Sequence, residues 1–440
     1  DEALQGMMDT IGIPENEINK DPITFHVRRL MIQLRVMEDQ QVKAVSDALK
    51  GLLQAQERIR EIQNDLHATR YADVLTKAIA LYNSGVDLGM MRRRDLMDAL
   101  WTGAYSLFIA EEESAVLNEA FQLVVDLAAE LSRRGLQEDG VREKLGRAKV
   151  YQGLLKMRAE DYAAAVASFD GVTSEFGNDP TAALQDACSS ALVNKGIALC
   201  RWHRPKNEEA GREILELYDE VIQRHGDSPD PALRESVASA LVNKGYLLNL
   251  IGQYADSLKA YDEAITRFGG ALEPSIEGHV TRALINKAFR LGENHVVADT
   301  RQAIEMYEDA LNRLNRTTRK SVQIQITMAW NGLAFQRLLL AKCTMPSDPA
   351  GARKILLEAR EAIREALKLA PDSGMVIGNE AYIEFLLGEN RDYARERLGE
   401  AIQHGGEETR NGELQDAKVY RLSQDSEFEN WCHQAAAASA

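Results

Sequence analysis

Ala-Leu-Val-Asn-Lys-Gly fills residues 191–196 and returns unchanged at 240–245, and a variant, Ala-Leu-Ile-Asn-Lys-Ala, fills 283–288. Each copy is followed by an aromatic–acid phrase: Leu217-Tyr218-Asp219-Glu220-Val221, Ala260-Tyr261-Asp262-Glu263-Ala264 and Met306-Tyr307-Glu308-Asp309-Ala310. Such recurrence marks a stacked helical array, in which each unit buries its apolar face against its neighbours instead of in one closed core. The architecture is therefore all-α, and function is narrowed toward binding. The phrase does not name the ligand.

Working outward, the small residue of each first helix aligns as Gly103, Gly153, Gly196, Gly245, Ala288, Gly332 and Ala381, spaced 43 to 50 residues apart. A side chain of that size lets the second helix of a pair approach closely. The second-helix aromatic follows at the same short distance in two copies, Gly153 to Phe169 and Gly245 to Tyr261. Insertions around residues 203–208 and before Tyr307 lengthen that connection in two others, as expected of loops on one face of a stack. Helix punctuation agrees. Phe176-Gly177, His225-Gly226 and Phe268-Gly269 place glycine where a left-handed cap is favoured. Asp179-Pro180, Asp230-Pro231, Glu273-Pro274 and Asp348-Pro349 read as starts of the next first helices, with an acidic cap and Pro in the first turn.

Ahead of the repeats, residues 1–20 are polar and broken by Gly12, Pro14 and Asn19, which predicts a flexible lead-in. From Ile23 to Ala68 apolar residues recur in steps of three and four (Leu30, Leu34, Met37, Val42, Val45, Leu49, Leu52, Ile59, Ile62, Leu66), predicting one amphipathic helix of about 65 Å. A shorter helix from Tyr71 to Asn83 folds back on it. This arm, residues 21–90, has two readings: a coiled-coil-like element for a partner or for self-association, or a long capping helix packed along the repeats. The repeats span 91–425, and residues 426–440, with their alanine-rich end, read as a tail outside the fold.

The copy from Ala240 to Gly269 resembles a tetratricopeptide repeat. It carries the large apolar Leu241, small Gly245, bulky Leu248, a turn ending at Gly252, then Tyr261 and small Ala264. Residues 375–405 repeat the pattern with Ala381, Leu387-Gly388 and Ala401. The resemblance covers roughly 92–405, with repeats longer than the family's usual length. It implies a right-handed α-solenoid of antiparallel helix pairs whose first helices line a concave groove, as in scaffolds, co-chaperones and adaptors that hold peptides or partner helices.

The formal net charge of −16 would repel phosphate backbones and acidic membranes, so nucleic acid is excluded as a first partner. No run of about eighteen apolar residues would span a membrane. The chain opens on Asp1, which reads as trimming or processing, so the lack of a leader says little. Cys188, Cys200, Cys343 and Cys432 show no paired spacing, which reads as scattered thiols in a reducing compartment, the cytoplasm. No metal-ligand spacing, phosphate loop or nucleophile elbow is present. The expectation is a non-enzymatic protein with no cofactor.

Within the repeated phrase, Asn194, Asn243, Asn286 and Asn379 each lie two residues before the small residue and project in one direction. On the family's pattern that direction faces the groove, where a column of carboxamides would pair with the backbone of an extended peptide. The alternative is that each bonds across neighbouring helices and keeps register. Tyr151 and Trp330 hold the equivalent position in two copies and would serve as groove walls. Lys195, Lys244 and Lys287 would counter an acidic peptide or a terminal carboxylate, or else snorkel to solvent. Tyr246, Phe289 and Tyr382, next to the small residue, read as half core and half groove lining. The favoured function is an adaptor holding a peptide or helix of a partner protein in the groove. The alternatives are a regulatory or sensory subunit of a larger assembly and a secretion-type chaperone.

Overall fold

Proline and capping side chains set the helix boundaries. Asp230 accepts hydrogen bonds from the amides of Ala232 (2.9 Å) and Leu233 (3.3 Å) ahead of a helix with Pro231 in its first turn. Asp161, Asn207, Asp348 and Asn390 cap other helices in the same way. Each such cap satisfies amides that have no partner within the helix.

The computed structural model describes residues 39–439, except 87, 113, 137 and 315–322, and they form two compact units that meet between Cys188 and Ser189. The lead-in and residues 23–38 of the arm lie outside the described residues. The described residues hold helices and no strand. In the first unit these are α1 (Asp39–His67), α2 (Tyr71–Asn83), α3 (Gly89–Ile109), α4 (Leu117–Arg133), α5 (Asp139–Arg158) and α6 (Tyr162–Phe176). Helix α7 (Ala182–His203) carries the boundary between the units. The second unit continues with α8 (Glu208–His225), α9 (Pro231–Leu250), α10 (Tyr254–Phe268), α11 (Pro274–Gly292), α12 (Val297–Leu314), α13 (Gln323–Thr344), α14 (Pro349–Leu369), α15 (Gly374–Leu387), α16 (Arg391–Asp416, kinked at Gly406) and α17 (Asp425–Ser439).

In the first unit α1 packs on α2, and both pack on α3. Ala55, Ile59 and Ile62 of α1 and Val74, Leu75 and Ala78 of α2 are buried there. Over its described length the arm is a hairpin packed on α3, and these apolar residues are covered within the unit.

In the second unit α9–α10, α11–α12, α13–α14 and α15–α16 form hairpins. Neighbouring first helices also touch, α9 to α11, α11 to α13 and α13 to α15, while no two second helices pack to a comparable extent. First helices thus form one layer and second helices another. The small residues make this spacing possible. A Cβ added to Gly245 would lie 2.6 Å from the Tyr261 ring, and one added to Gly196 would lie 2.7 Å from Tyr218. In the first unit Gly153 admits Phe169 in the same way. At Gly332 the approaching ring is Tyr307, from the preceding second helix, and at Gly103 the neighbour is Leu75 of α2, so the gap is not always filled from within the same hairpin. Tyr218, Tyr261 and Tyr307 are fully buried, each contributing roughly 1.5–3 kcal/mol of apolar burial.

Four expectations change. Helix α7 starts at Ala182, after a turn in which Asp179 accepts from the Thr181 amide (2.9 Å), and not at Asp179-Pro180. Asp348-Pro349 opens α14, a second helix, because the same capping chemistry serves either helix of a pair. Gly177, Gly226 and Gly269 are right-handed (φ −57, −50 and −59). Glycine is needed there because a Cβ would press to 2.5–2.7 Å from the carbonyl oxygen four residues back. Finally, residues 425–439 are not a loose tail: they form α17, with Phe428, Trp431 and Cys432 buried.

The cap at α9 gives a direct check. Asp230→Ala is expected to lower stability by about 1 kcal/mol in urea unfolding. Glu273→Ala, at a start whose side chain makes no cap bond, is expected to cost less; an equal or larger loss at Glu273 would contradict the capping account.

Candidate functional site

The first-helix layer of the second unit presents matching positions at i, i+4, i+7 and i+11, which share one helix face. On α9 these are Ser239, Asn243, Tyr246 and Leu250; on α11 they are Arg282, Asn286, Phe289 and Glu293. Tyr246 is 49%, Leu250 41% and Phe289 51% exposed. Large apolar groups recurring on one face of adjacent helices mark a contact surface more than solitary exposed residues do. The third aromatic of the set, Tyr382 on α15, is instead fully buried.

Asn194, Asn243 and Asn379 are occupied. Asn194 donates to the Ser190 carbonyl (2.8 Å) one turn back. Asn243 donates to the Ser239 carbonyl (2.9 Å), and its Oδ1 accepts from Arg282 of α11 (3.3 Å). Asn286 is half-buried. Asn379 is buried and donates to Asn331 Oδ1 on α13 (2.9 Å). Asn194, Asn243 and Asn379 thus bond within and between first helices, because a half-buried carboxamide finds partners locally.

The lysines also change role. Lys244 Nζ lies 2.5 Å from Asp219 Oδ1, and Lys287, largely buried, pairs with Asp262. Each bond joins the lysine of one first helix to the acid of the preceding aromatic–acid phrase. Where Asn331 replaces the lysine, Arg337 reaches the corresponding Glu308 at 2.7 Å. Lys244 and Lys287 thus tie consecutive repeats together and are neither free for a ligand nor idle in solvent. Lys195 and Trp330 are half-buried. Tyr151 belongs to the first unit, stacked on Phe121 (5.3 Å) and set edge-on to Trp101 (5.8 Å), Tyr105 (5.6 Å) and Phe108 (4.8 Å). It is the hub of an aromatic cluster and not an open wall.

Two groups escape sequence reading. The first is Arg282, whose Nε is buried without a partner among the described residues and whose Nη2 donates to Asn243. Burial pulls the guanidinium below its usual value, and burial, helped by the Arg282 charge, holds neighbouring His279 well below the ordinary histidine range. Arg282 is half-buried and makes no ion pair among the described residues, so an anion would complement its charge. No periodicity signals it, since Ser190 and Ser239 hold the equivalent positions on α7 and α9.

The second group centres on Lys342 of α13, fully buried with Asp425 of α17 at 3.1 Å. It also donates to the Tyr382 hydroxyl and to the carbonyls of Asp416 (2.9 Å) and Ala417 (3.3 Å). Beside it Glu413 is buried against Gly378, with Oε2 unpartnered. Burial, with Asp416 nearby, drives Glu413 well above the carboxylate range, and burial pushes Asp416 from 3.8 up to about 7 against the pull of Lys342. Lys342 lies more than 70 residues before Glu413, Asp416 and Asp425, so their meeting leaves no local signal.

The paired helices, the small-residue gaps and the aromatic–acid phrase define an all-α helical-repeat protein. No protein-family model matches the chain, and no curated protein does. Among solved structures it is similar to the crystal structure of the P58(IPK) TPR domain, at 13% identity over 83% of this chain and 98% of that one, with a TM-score of 0.26. No described helix is long and apolar enough to cross a membrane.

The raised value at Asp416 sets a pH dependence. A carboxyl whose folded value lies above its unfolded value contributes stability that is lost as pH rises through the folded value, here from about 4 to about 7. Asp416→Asn removes that loss, so its stability relative to the parent chain should grow by on the order of 2 kcal/mol between about pH 5 and about pH 8. A difference independent of pH, followed by urea unfolding at the two values, would show that Asp416 ionises normally in the folded chain.

Proposed function

We propose that the chain is a non-enzymatic protein-interaction scaffold, and that the first-helix layer of the second unit, around α9 and α11, receives a peptide or helix of a partner protein. The observation that carries this reading is the pairing of exposed Tyr246, Leu250 and Phe289 with the under-partnered guanidinium of Arg282 on the same strip. The complementary partner segment has apolar side chains for the aromatic strip and a carboxylate for Arg282. Aromatic and arginine side chains of this kind supply most of the affinity at protein interfaces. The acidic chain as a whole would not attract such a segment, so the specificity is local. Cys200, Cys343 and Cys432 form no disulfide among the described residues, in keeping with a reducing compartment, and we place the protein in the cytoplasm.

Asn243 and Asn379, with Lys244 and Lys287, support this surface by linking its helices to their neighbours. Substituting them is expected to lower stability along with binding. Substituting the strip is expected to separate the two. In affinity capture with the intact chain, Tyr246→Ala with Phe289→Ala should reduce the recovered partner at least tenfold and leave the thermal midpoint nearly unchanged. Arg282→Gln should weaken capture chiefly at low salt. Undiminished capture by the double variant would remove the docking surface from this strip.

A further inference from the structure

Beneath α17 the acids outnumber the cations that could match them. Glu413 of α16 is 4% exposed, its Oε2 has no partner among the described residues, and its carboxyl abuts Gly378 of α15. Lys342 of α13 is already committed: it meets Asp425 of α17 at 3.1 Å and donates to the Tyr382 hydroxyl and to the carbonyls of Asp416 and Ala417. Arg410 of α16 turns to Glu407 (2.9 Å), and Arg421 of the connection to α17 turns to Glu429 (2.7 Å). From α15 the titratable group that senses Glu413 is Tyr382, and from α17 it is Cys432, whose thiol burial and the Glu413 charge push up to about 12. Among the described residues no cation pairs with Glu413, and a buried carboxyl so placed keeps its proton. Were Glu413 and Asp416 both to ionise, they and Asp425 would set three carboxylates around one ammonium in a site closed to water.

Of the helices around Glu413, α17 is the one free to yield. Helices α13 and α15 are each packed against the helices before and after them, whereas the backbone of α17 lies against α16. It reaches the other helices through three buried side chains. Asp425 meets Lys342, Phe428 stacks on Tyr382 at 4.2 Å and approaches Phe385 at 5.2 Å, and Trp431 meets Phe385 edge-on at 5.1 Å. Lifting α17 admits water to Glu413 and Asp416 and takes the Asp425 carboxylate away from them. It also bares Tyr382 and Phe385.

We propose that α17 is a latch held closed by the protons on Glu413 and Asp416, and that rising pH releases it and uncovers the aromatic face of Tyr382 and Phe385. Burial holds both carboxyls above their ordinary range in the closed chain, and water returns them to it in the open one. The closed form therefore binds more protons. Its advantage is complete below the ordinary carboxylate range and is lost as pH rises through the closed-state values. Asp416, moving from 3.8 to about 7, shifts the balance toward the open form about tenfold between about pH 6 and about pH 8. Glu413, raised well above its usual value, adds to that shift in the same direction.

Amide hydrogen exchange of the intact chain, corrected for the pH dependence of the chemical rate, reads the latch directly. Exchange in residues 425–434 should speed at least tenfold from about pH 6 to about pH 8, as the linkage requires, while α9 keeps its protection. A chain carrying Glu413→Gln and Asp416→Asn should exchange that segment at the same corrected rate at both values. Equal rates in the parent chain, a rise that the double variant retains, or a rise shared by α9 would overturn the proposal. If the double variant loses its helical circular dichroism, Asp416→Asn alone decides: it should cut the parent chain's rise at least threefold, and an undiminished rise refutes the latch.

Discussion

The structure rests on a tyrosine entering a gap that only a very small residue leaves open. Tyr218 against Gly196 and Tyr261 against Gly245 set how closely two helices approach. The residue after each tyrosine, Asp219 or Asp262, then reaches forward to Lys244 or Lys287 of the next first helix. One phrase closes the hairpin and the other links it to its neighbour. Close packing makes the first contact intolerant of added volume. The second is a partly exposed ion pair of modest strength, acting on register more than on stability.

This division of labour decides which residues remain for a partner. Ala, Leu and Gly of the repeated phrase are core, Lys244 and Lys287 are committed to the preceding repeat, and Asn194, Asn243 and Asn379 bond within the first-helix layer. The residue after the phrase is the one released: Tyr246 and Phe289 stand out from the layer because the small residue beside them already faces the second helix. Arg282 lies two turns before Phe289 on the same face, so apolar and cationic groups are offered together. The layer's contact chemistry is therefore a by-product of its packing chemistry, shifted by one residue.

Much of the fold is legible in the sequence because its determinants are local. Helix α2 from Tyr71 to Asn83 and α9 from Pro231 to Leu250 follow from periodicity, caps and breakers within a few residues. Identical local signals serve different elements, which is why Asp348-Pro349 reads as a first helix although it opens a second. The site was less legible. The lysine–acid bonds join residues 25 positions apart in both copies, Lys244 with Asp219 and Lys287 with Asp262, so the two phrases carried the pairing but only the fold showed which repeat supplies each partner. Arg282, Lys342 and Asp425 have no repeat counterpart, and their significance comes from burial, which no spacing reports.

The most direct test of the tyrosine–glycine fit is a double-mutant cycle on Gly245 and Tyr261, measured by urea unfolding. Gly245→Ala alone crowds the ring, and Tyr261→Ala alone leaves a void. If the fit sets the helix spacing, the double variant should be less damaged than the sum of the single changes, with a coupling of about 1–3 kcal/mol. Additive losses, with coupling below about 0.5 kcal/mol, would contradict it, because the ring and the glycine would then not be meeting in the folded chain.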